Sequence, residues 1–283
     1  MKVLAVGATG ASAGLVVPEL LSRGVIVRAL VRDLNRADAA RARGVQEIAV
    51  GDLTDSASLR AAADGVDGVF HLNPAFAPDE AAMGVAMVRA AVDAGVRKFV
   101  FSSVYHPSIS LTNHAGKRPV EEAVYDSGMD FTVLQPAMFL QMLDGAWRSA
   151  EQLGRIAMPY SKHARACYVD YRDVAEAAAL AMTGDTLSQG TFELSAPGMV
   201  NRVELAELMS RVLGRTVVAE EPSFADWAQQ AHLPPGPVRD GLERMNADYD
   251  AHGFPGGNAL VLRAVLGREP RTLPEYIAEL AQR

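Results

Sequence analysis

The sequence predicts an α/β fold, a doubly wound parallel sheet followed by a smaller, mostly helical C-terminal part, and three observations carry that expectation. Short runs of branched apolar residues alternate with helical stretches along most of the chain. The first run breaks at a glycine-rich turn that opens a helix. From Asn201 the texture changes to an amphipathic helix and Pro- and Gly-rich turns. Strands that alternate with helices form parallel sheets with right-handed crossovers, and ligands of such sheets sit at the carboxyl ends of the strands.

Val3-Leu4-Ala5-Val6 is the first strand. Gly7 supplies a tight turn, Gly10 lets the backbone approach a ligand, and Ala13 and Gly14 leave room for the new helix to pack on the strand. Backbone N–H groups and the positive end of the helix then face one point, where the pyrophosphate of a dinucleotide can sit. Leu15-Val16-Val17-Pro18-Glu19-Leu20-Leu21 continues the helix to Gly24, and Val25 to Val31 is the second strand, stopping at Arg32-Asp33. At this place, about twenty residues past the glycines, the fold chooses its cofactor. An acidic side chain accepts from a ribose 2′-OH, whereas a guanidinium pairs with the 2′-phosphate of NADP. Side chains alternate along a strand, so register decides between Arg32 and Asp33; Arg32 is the expected phosphate contact, with Arg36 as a second. The competing reading is two solvated charges at a loop start.

Asn35 to Arg43 is helical and Val45 to Val50 a third strand, ending in Gly51-Asp52-Leu53. Asp52 can accept from an adenine amino group while Leu53 covers the ring; otherwise Asp52 is a turn residue bonding its own backbone. A helix from Ser58 to Asp64 leads to the strand Val66–Leu72 and the Asn73-Pro74 turn, which would lie under the cofactor. His71 at that strand end reads as a packed side chain. Asp79 to Ala94 is a helix and Lys98 to Val104 the fifth strand. Leu134 to Met142 ends a sixth strand and opens a helix whose Met138, Phe139 and Met142 could wall an aromatic slot. Asp173-Val174-Ala175-Glu176 has capping-box spacing, and Thr191 to Leu194 is a late strand. Residues 1–197 form the expected dinucleotide-binding domain, with 136–170 contributing in part to the substrate pocket, and 198–283 the C-terminal substrate-binding part. Trp227, Met245 and Tyr249 are pocket candidates there, with ordinary packing the stronger reading.

Composition excludes several classes. With 283 residues, 49% hydrophobic and 22% charged, the chain has the makeup of a globular protein with a full core. A net charge of -7 and the lack of a basic arm argue against nucleic acid, and no apolar run is long enough for a bilayer. The lone Cys167 reads as a small buried apolar residue in a reducing compartment. A cytoplasmic location and no metal are expected, with a small molecule as partner. An apolar surface helix could pair two copies.

Gly7-Ala8-Thr9-Gly10, Val31-Arg32-Asp33, Gly51-Asp52-Leu53-Thr54-Asp55, Val69-Phe70-His71-Leu72, Phe101-Ser102-Ser103-Val104, Gly128 to Pro136 and Tyr168 to Ala175 together resemble the NmrA-like group of atypical short-chain dehydrogenases/reductases. The resemblance implies a Rossmann-like fold and NADPH as cofactor. By it, Gly7, Thr9, Gly10, Ala11 and Ser12 would hold the pyrophosphate, Arg32 the 2′-phosphate, and Asp52 and Leu53 the adenine. Leu72, Asn73 and Pro74 would lie along the cofactor, with Ser102 counted in the same set. Pro136, Ala137, Met138 and Phe139 would close over the nicotinamide end, and Lys117 would stand beside the nicotinamide ribose.

The wider superfamily uses Tyr-x-x-x-Lys on one helix face, where the ammonium lowers the phenol pKa. Here Asn113 stands four residues before Lys117, and an amide has no titratable proton to give. Tyr105, His106 and His114 are nearby substitutes, so Lys117, Tyr105 and His114 form the candidate catalytic set. The expected function is an NADPH-dependent reductase delivering hydride to a small carbonyl, quinone or related electrophile. The missing tyrosine favours quinones, whose reduction product is a stabilised phenolate. The alternatives are a non-catalytic NADP(H)-binding redox sensor and an isomerase or epimerase with a tightly bound cofactor.

Overall fold

The computed structural model describes all 283 residues. The chain divides into two compact units, residues 1–136 with 171–194 and residues 137–170 with 195–283. The segment 137–170, expected inside the first domain, thus belongs to the second unit, and the later boundary falls at 194/195.

In the first unit, β1 (Lys2–Val6) turns at Gly7, whose φ of +88° is open to glycine and strained for other residues. A short 3₁₀ turn leads into α1 (Val16–Ser22), then β2 (Ile26–Val31), α2 (Ala37–Arg41) and β3 (Glu47–Val50). The next helix, α3 (Ser56–Ala63), begins two residues before the expected Ser58 because the Asp55 carboxylate caps it, accepting from the Ala57 amide at 3.0 Å. β4 (Gly68–Leu72), α4 (Glu80–Asp93) and β5 (Lys98–Ser102) follow within two residues of the expected bounds. Two helices, α5 (Thr112–Ala115) and α6 (Arg118–Tyr125), precede β6 (Asp130–Pro136).

The excursion into the second unit carries β7 (Met138–Phe139), α7 (Leu143–Leu153), β8 (Arg155–Ala157) and β9 (Tyr168–Val169). The chain then returns through α8 (Tyr171–Thr183) and β10 (Gly190–Leu194). Because α8 starts at Tyr171, Asp173 lies inside its first turn and the expected Asp173–Glu176 capping box does not form.

All seven strands of the main sheet are parallel, in the order β10-β6-β5-β4-β1-β2-β3. Strand order reverses between β1 and β4, which opens a crevice at their carboxyl ends. Leu4, Val69, Phe99 and Phe101 of the sheet pack on Met87 of α4 and Val120 of α6, all fully buried. Each such side chain contributes about 1.5–3 kcal/mol on leaving water. Strands covered on both faces need apolar residues on both, which is why they read as unbroken apolar runs.

The second unit continues with α9 (Arg202–Leu213), β11 (Val218–Glu220), α10 (Phe224–Gln230), α11 (Pro237–His252), α12 (Leu260–Leu266) and α13 (Leu273–Leu280). Capping boxes start α9 (Asn201 with Glu204) and α13 (Thr272 with Glu275). β7 pairs with β9 and β8 with β11. Helix α11 runs for 16 residues, longer than the short pieces expected from its Pro- and Gly-rich flanks. Tyr249 packs edge-on against Tyr160, with ring centres 5.9 Å apart, and Trp227 packs against Phe224. Cys167 is buried. No helix of the chain is long and apolar enough to cross a membrane, and no group of His, Cys, Asp and Glu could hold a metal.

Candidate cofactor cleft

A cleft of about 530 Å³ lies in the first unit at the carboxyl ends of the strands. The structure brings Gly7, Thr9, Gly10, Ala11, Ser12, Arg32, Arg36, Asp52, Leu53, Leu72, Asn73 and Pro74 together along its walls. Separate stretches of sequence thus meet in one place, because each lies at or just past the carboxyl end of a strand in the half-sheet β4-β1-β2-β3, which begins at the reversal of strand order. The backbone of the turn is tight. A Cβ at Gly10 would stand 3.1 Å from the Gly7 carbonyl oxygen, and one at Gly7 would stand 2.9 Å from the Ala13 Cβ. The Gly10 amide donates to the Gly7 carbonyl at 2.8 Å, closing the turn before the 3₁₀ start of the helix. This is a cradle that side chains would fill, and its donors suit a pyrophosphate.

Arg32 and Arg36 are exposed and line the cleft, whereas Asp33 turns back and accepts from the Asn35 amide at 2.9 Å, capping the 3₁₀ turn. Asp52 lines the cleft and also makes the local turn. Its carboxylate accepts from the Thr54 hydroxyl at 2.6 Å and the Thr54 amide at 2.8 Å. Those two bonds, with the Arg32 charge as a weaker contributor, hold its carboxyl below the usual range. Met83 of α4, half-buried, lines the cleft without any sequence signal that pointed to it.

The remaining expected residues are not among those that line this cleft. Ser102 is fully buried and accepts from the Tyr171 hydroxyl at 3.0 Å, so its side chain faces α8 rather than the cleft. Pro136 ends β6 and its carbonyl accepts from the Tyr105 amide at 2.9 Å. Ala137, Met138 and Phe139 belong to the second unit, the last two in β7. Lys117 is buried and forms an ion pair with the equally buried Glu80. Lys117 is thus not a solvated helix-start lysine paired with Glu121, four residues on. Glu121 instead accepts from Ser103 at 2.5 Å and Gln135 at 2.9 Å.

The acid candidates are likewise committed to structure. Tyr105 is buried, its ring 4.1 Å from that of His106. His114 is buried, and burial pushes its pKa down; its Nδ1 lies 3.2 Å from the His106 carbonyl oxygen. A neutral imidazole with Nδ1–H donating to that carbonyl anchors the loop backbone. His71 is fully buried, its pKa pushed down to about 4 by burial. Asn73 Nδ2 donates to the Glu80 carbonyl at 2.9 Å, so Asn73 Oδ1 faces His71 Nε2, and the proton sits on that nitrogen.

The sheet, its reversal of strand order and the glycine cradle there define a Rossmann-like α/β protein. The chain belongs to the NmrA-like family, whose profile matches residues 1–277. It is 32% identical over 282 residues to an NAD(P)H azoreductase of Xenophilus azovorans, covering 97% of this chain and 96% of the relative. It is also 32% identical to the (4-alkanoyl-5-oxo-2,5-dihydrofuran-3-yl)methyl phosphate reductase of Streptomyces griseus, covering 99% and 98%. The structure of an NADPH-dependent quinone oxidoreductase from Escherichia coli, crystallised with NADPH, superimposes with a TM-score of 0.84 at 23% identity and 99% coverage of both chains.

Proposed function

We propose that this chain is an NADPH-dependent reductase acting on small conjugated electrophiles, with quinones and azo compounds as the leading classes. One observation carries the cofactor assignment: two guanidinium groups line the cleft beside the glycine cradle, while the neighbouring carboxylate of Asp33 is spent on its own turn. Gly7, Thr9, Gly10, Ala11 and Ser12 would hold the pyrophosphate, Arg32 and Arg36 the 2′-phosphate, and Leu53 one face of the adenine. Bound there, NADPH supplies a hydride equivalent, and the acceptor takes it together with one proton.

The chain's own acid groups suit acceptors that need little proton help. Asn113 has no proton to give, His114 is held neutral by burial, and Lys117 is occupied by Glu80. A quinone can take its proton from water after the hydride, because the phenolate left behind is a weak base; azo compounds enter this reading through the relative named an azoreductase. The two 32%-identical relatives are both named for reductions, which favours turnover over sensing. A cytoplasmic location suits the reduced lone cysteine; a homodimer belongs to the same reading, and light scattering of the purified chain reads its mass.

The test is steady-state NADPH oxidation with a panel of benzoquinones, naphthoquinones, azo dyes and simple ketones. Turnover with the first three and none with ketones is the expected result. Tight NADPH binding with no turnover on any of them would overturn the reductase in favour of the sensor.

A further inference from the structure

We propose that Glu80 is a positioning residue of the cleft, tethering its Leu72–Pro74 wall to Lys117 through a buried ion pair. The inference rests on the cleft being the NADPH site. Three bonds converge on Glu80. One carboxylate oxygen meets Lys117 Nζ, the other accepts from the Phe76 amide at 3.0 Å, and the backbone carbonyl accepts from Asn73 Nδ2 at 2.9 Å. Glu80 and Lys117 are 3% and 4% exposed. A carboxylate removed from water to that degree persists only where compensating bonds hold it. Here those bonds join three segments: the end of β4, the turn before α4 and the start of α6.

Each segment needs the tether. Phe76 stands at φ +63°, a left-handed conformation that a bulky residue adopts only when its surroundings enforce it. The Glu80 carboxylate bond to its amide supplies that enforcement. Asn73 lines the cleft and is braced on its other side by His71. Gly84, one helical turn beyond Glu80, leaves the space Asn73 occupies, since a Cβ there would stand 2.8 and 2.9 Å from the two amide atoms. Asn73 is a cleft-wall residue, whereas Glu80 and Lys117 are not. Lys117 therefore bears on the cleft through Glu80 and the wall.

The experiment is calorimetric titration of NADPH into the unaltered protein, Glu80→Gln and the double variant Glu80→Met/Lys117→Met, with quinone-reduction kinetics and a thermal scan on each. The double variant leaves no unpaired buried charge and is the safeguard if Glu80→Gln does not fold. The expected result is a rise in NADPH Kd and KM of about tenfold in the double variant and less in Glu80→Gln, which keeps an acceptor for Phe76. At saturating NADPH, kcat stays within threefold. A folded double variant that binds NADPH like the unaltered chain overturns the proposal. So does a tenfold fall in kcat at unchanged Kd, which would put Lys117 at the reacting atoms. Failure of the unaltered protein to bind NADPH overturns the assignment of the cleft, and this inference falls with it.

Discussion

Arg32 and Asp33, adjacent at the end of β2, part company: Arg32 lines the cleft, and Asp33 folds back onto the Asn35 amide. Calorimetry should therefore show NADPH binding at least tenfold tighter than NADH, about 1.4 kcal/mol, with the preference lost in Arg32→Ala. Equal binding of the two cofactors by the unaltered protein would mean that neither guanidinium reads the 2′-phosphate.

Gly7→Ala forces a side chain into φ +88° with its Cβ 2.9 Å from that of Ala13. The expected loss of stability is about 1–3 kcal/mol by denaturant titration, accompanied by weaker NADPH binding. A variant as stable as the parent would show that the turn relaxes without cost.

Asn113→Tyr restores the superfamily's sequence pattern but should not restore its chemistry. Asn113 lies in α5 and Lys117 precedes α6, with Pro119 in the first turn of α6. The Lys117 amide bonds the His114 carbonyl three residues back, so the turn between the two side chains tightens to 3₁₀ spacing and rotates them away from the shared face of a regular α-helix. With Lys117 also held by Glu80, ketone reduction by Asn113→Tyr should stay within twofold of the parent; a larger gain would contradict this geometry.

His71 makes stability fall on the acid side. Its pKa is lowered to about 4 in the fold against an ordinary value of 6.5, so above 6.5 both the folded and the unfolded chain carry it neutral and it contributes no pH dependence. Between 6.5 and about 4 the unfolded chain takes up a proton that the native chain refuses, and native stability declines. The full loss is about 3 kcal/mol. Denaturation midpoints across that window should drop steeply for the parent and less for His71→Gln, with His114, shifted in the same direction, supplying part of the remaining slope.

Tyr171→Phe removes the hydroxyl that Ser102 accepts from and should cost about 1 kcal/mol of stability while leaving NADPH affinity unchanged. A loss of affinity would return Ser102 to the cofactor set.

Much of the first unit was legible because parallel strands buried on both faces announce themselves as apolar runs, and glycines at Gly7 and Gly24 mark where they turn. The cleft lining was legible for a related reason: its expected wall segments each end a strand. Residues whose placement depends on partners far along the chain were not. Nothing around Glu80 distinguishes it from a solvated helix-start carboxylate, since its burial depends on Lys117, distant in sequence. Ser102 sits at a strand end like the cleft residues, but Tyr171 of α8 claims its hydroxyl, and no local pattern encodes that approach. Helix α8 began earlier than its acidic spacing suggested, because Tyr171 is fully buried and already helical.

The chain crosses between its two units three times, after Pro136, Asp170 and Leu194. Synthesis runs in that order, so the first unit receives its last strand, β10, before most of the second unit has left the ribosome. Residues 137–170 emerge early and then wait, because β8 pairs only with β11, and Ala166 bridges only to Val200 and Phe254. A chain ending at Pro197 would finish its seven-stranded sheet and still carry Ile156 and Cys167 with those later segments missing. A cut at Pro197 therefore does not isolate a self-sufficient domain, because the stretch that holds Ile156 and Cys167 pairs with those segments in the full protein.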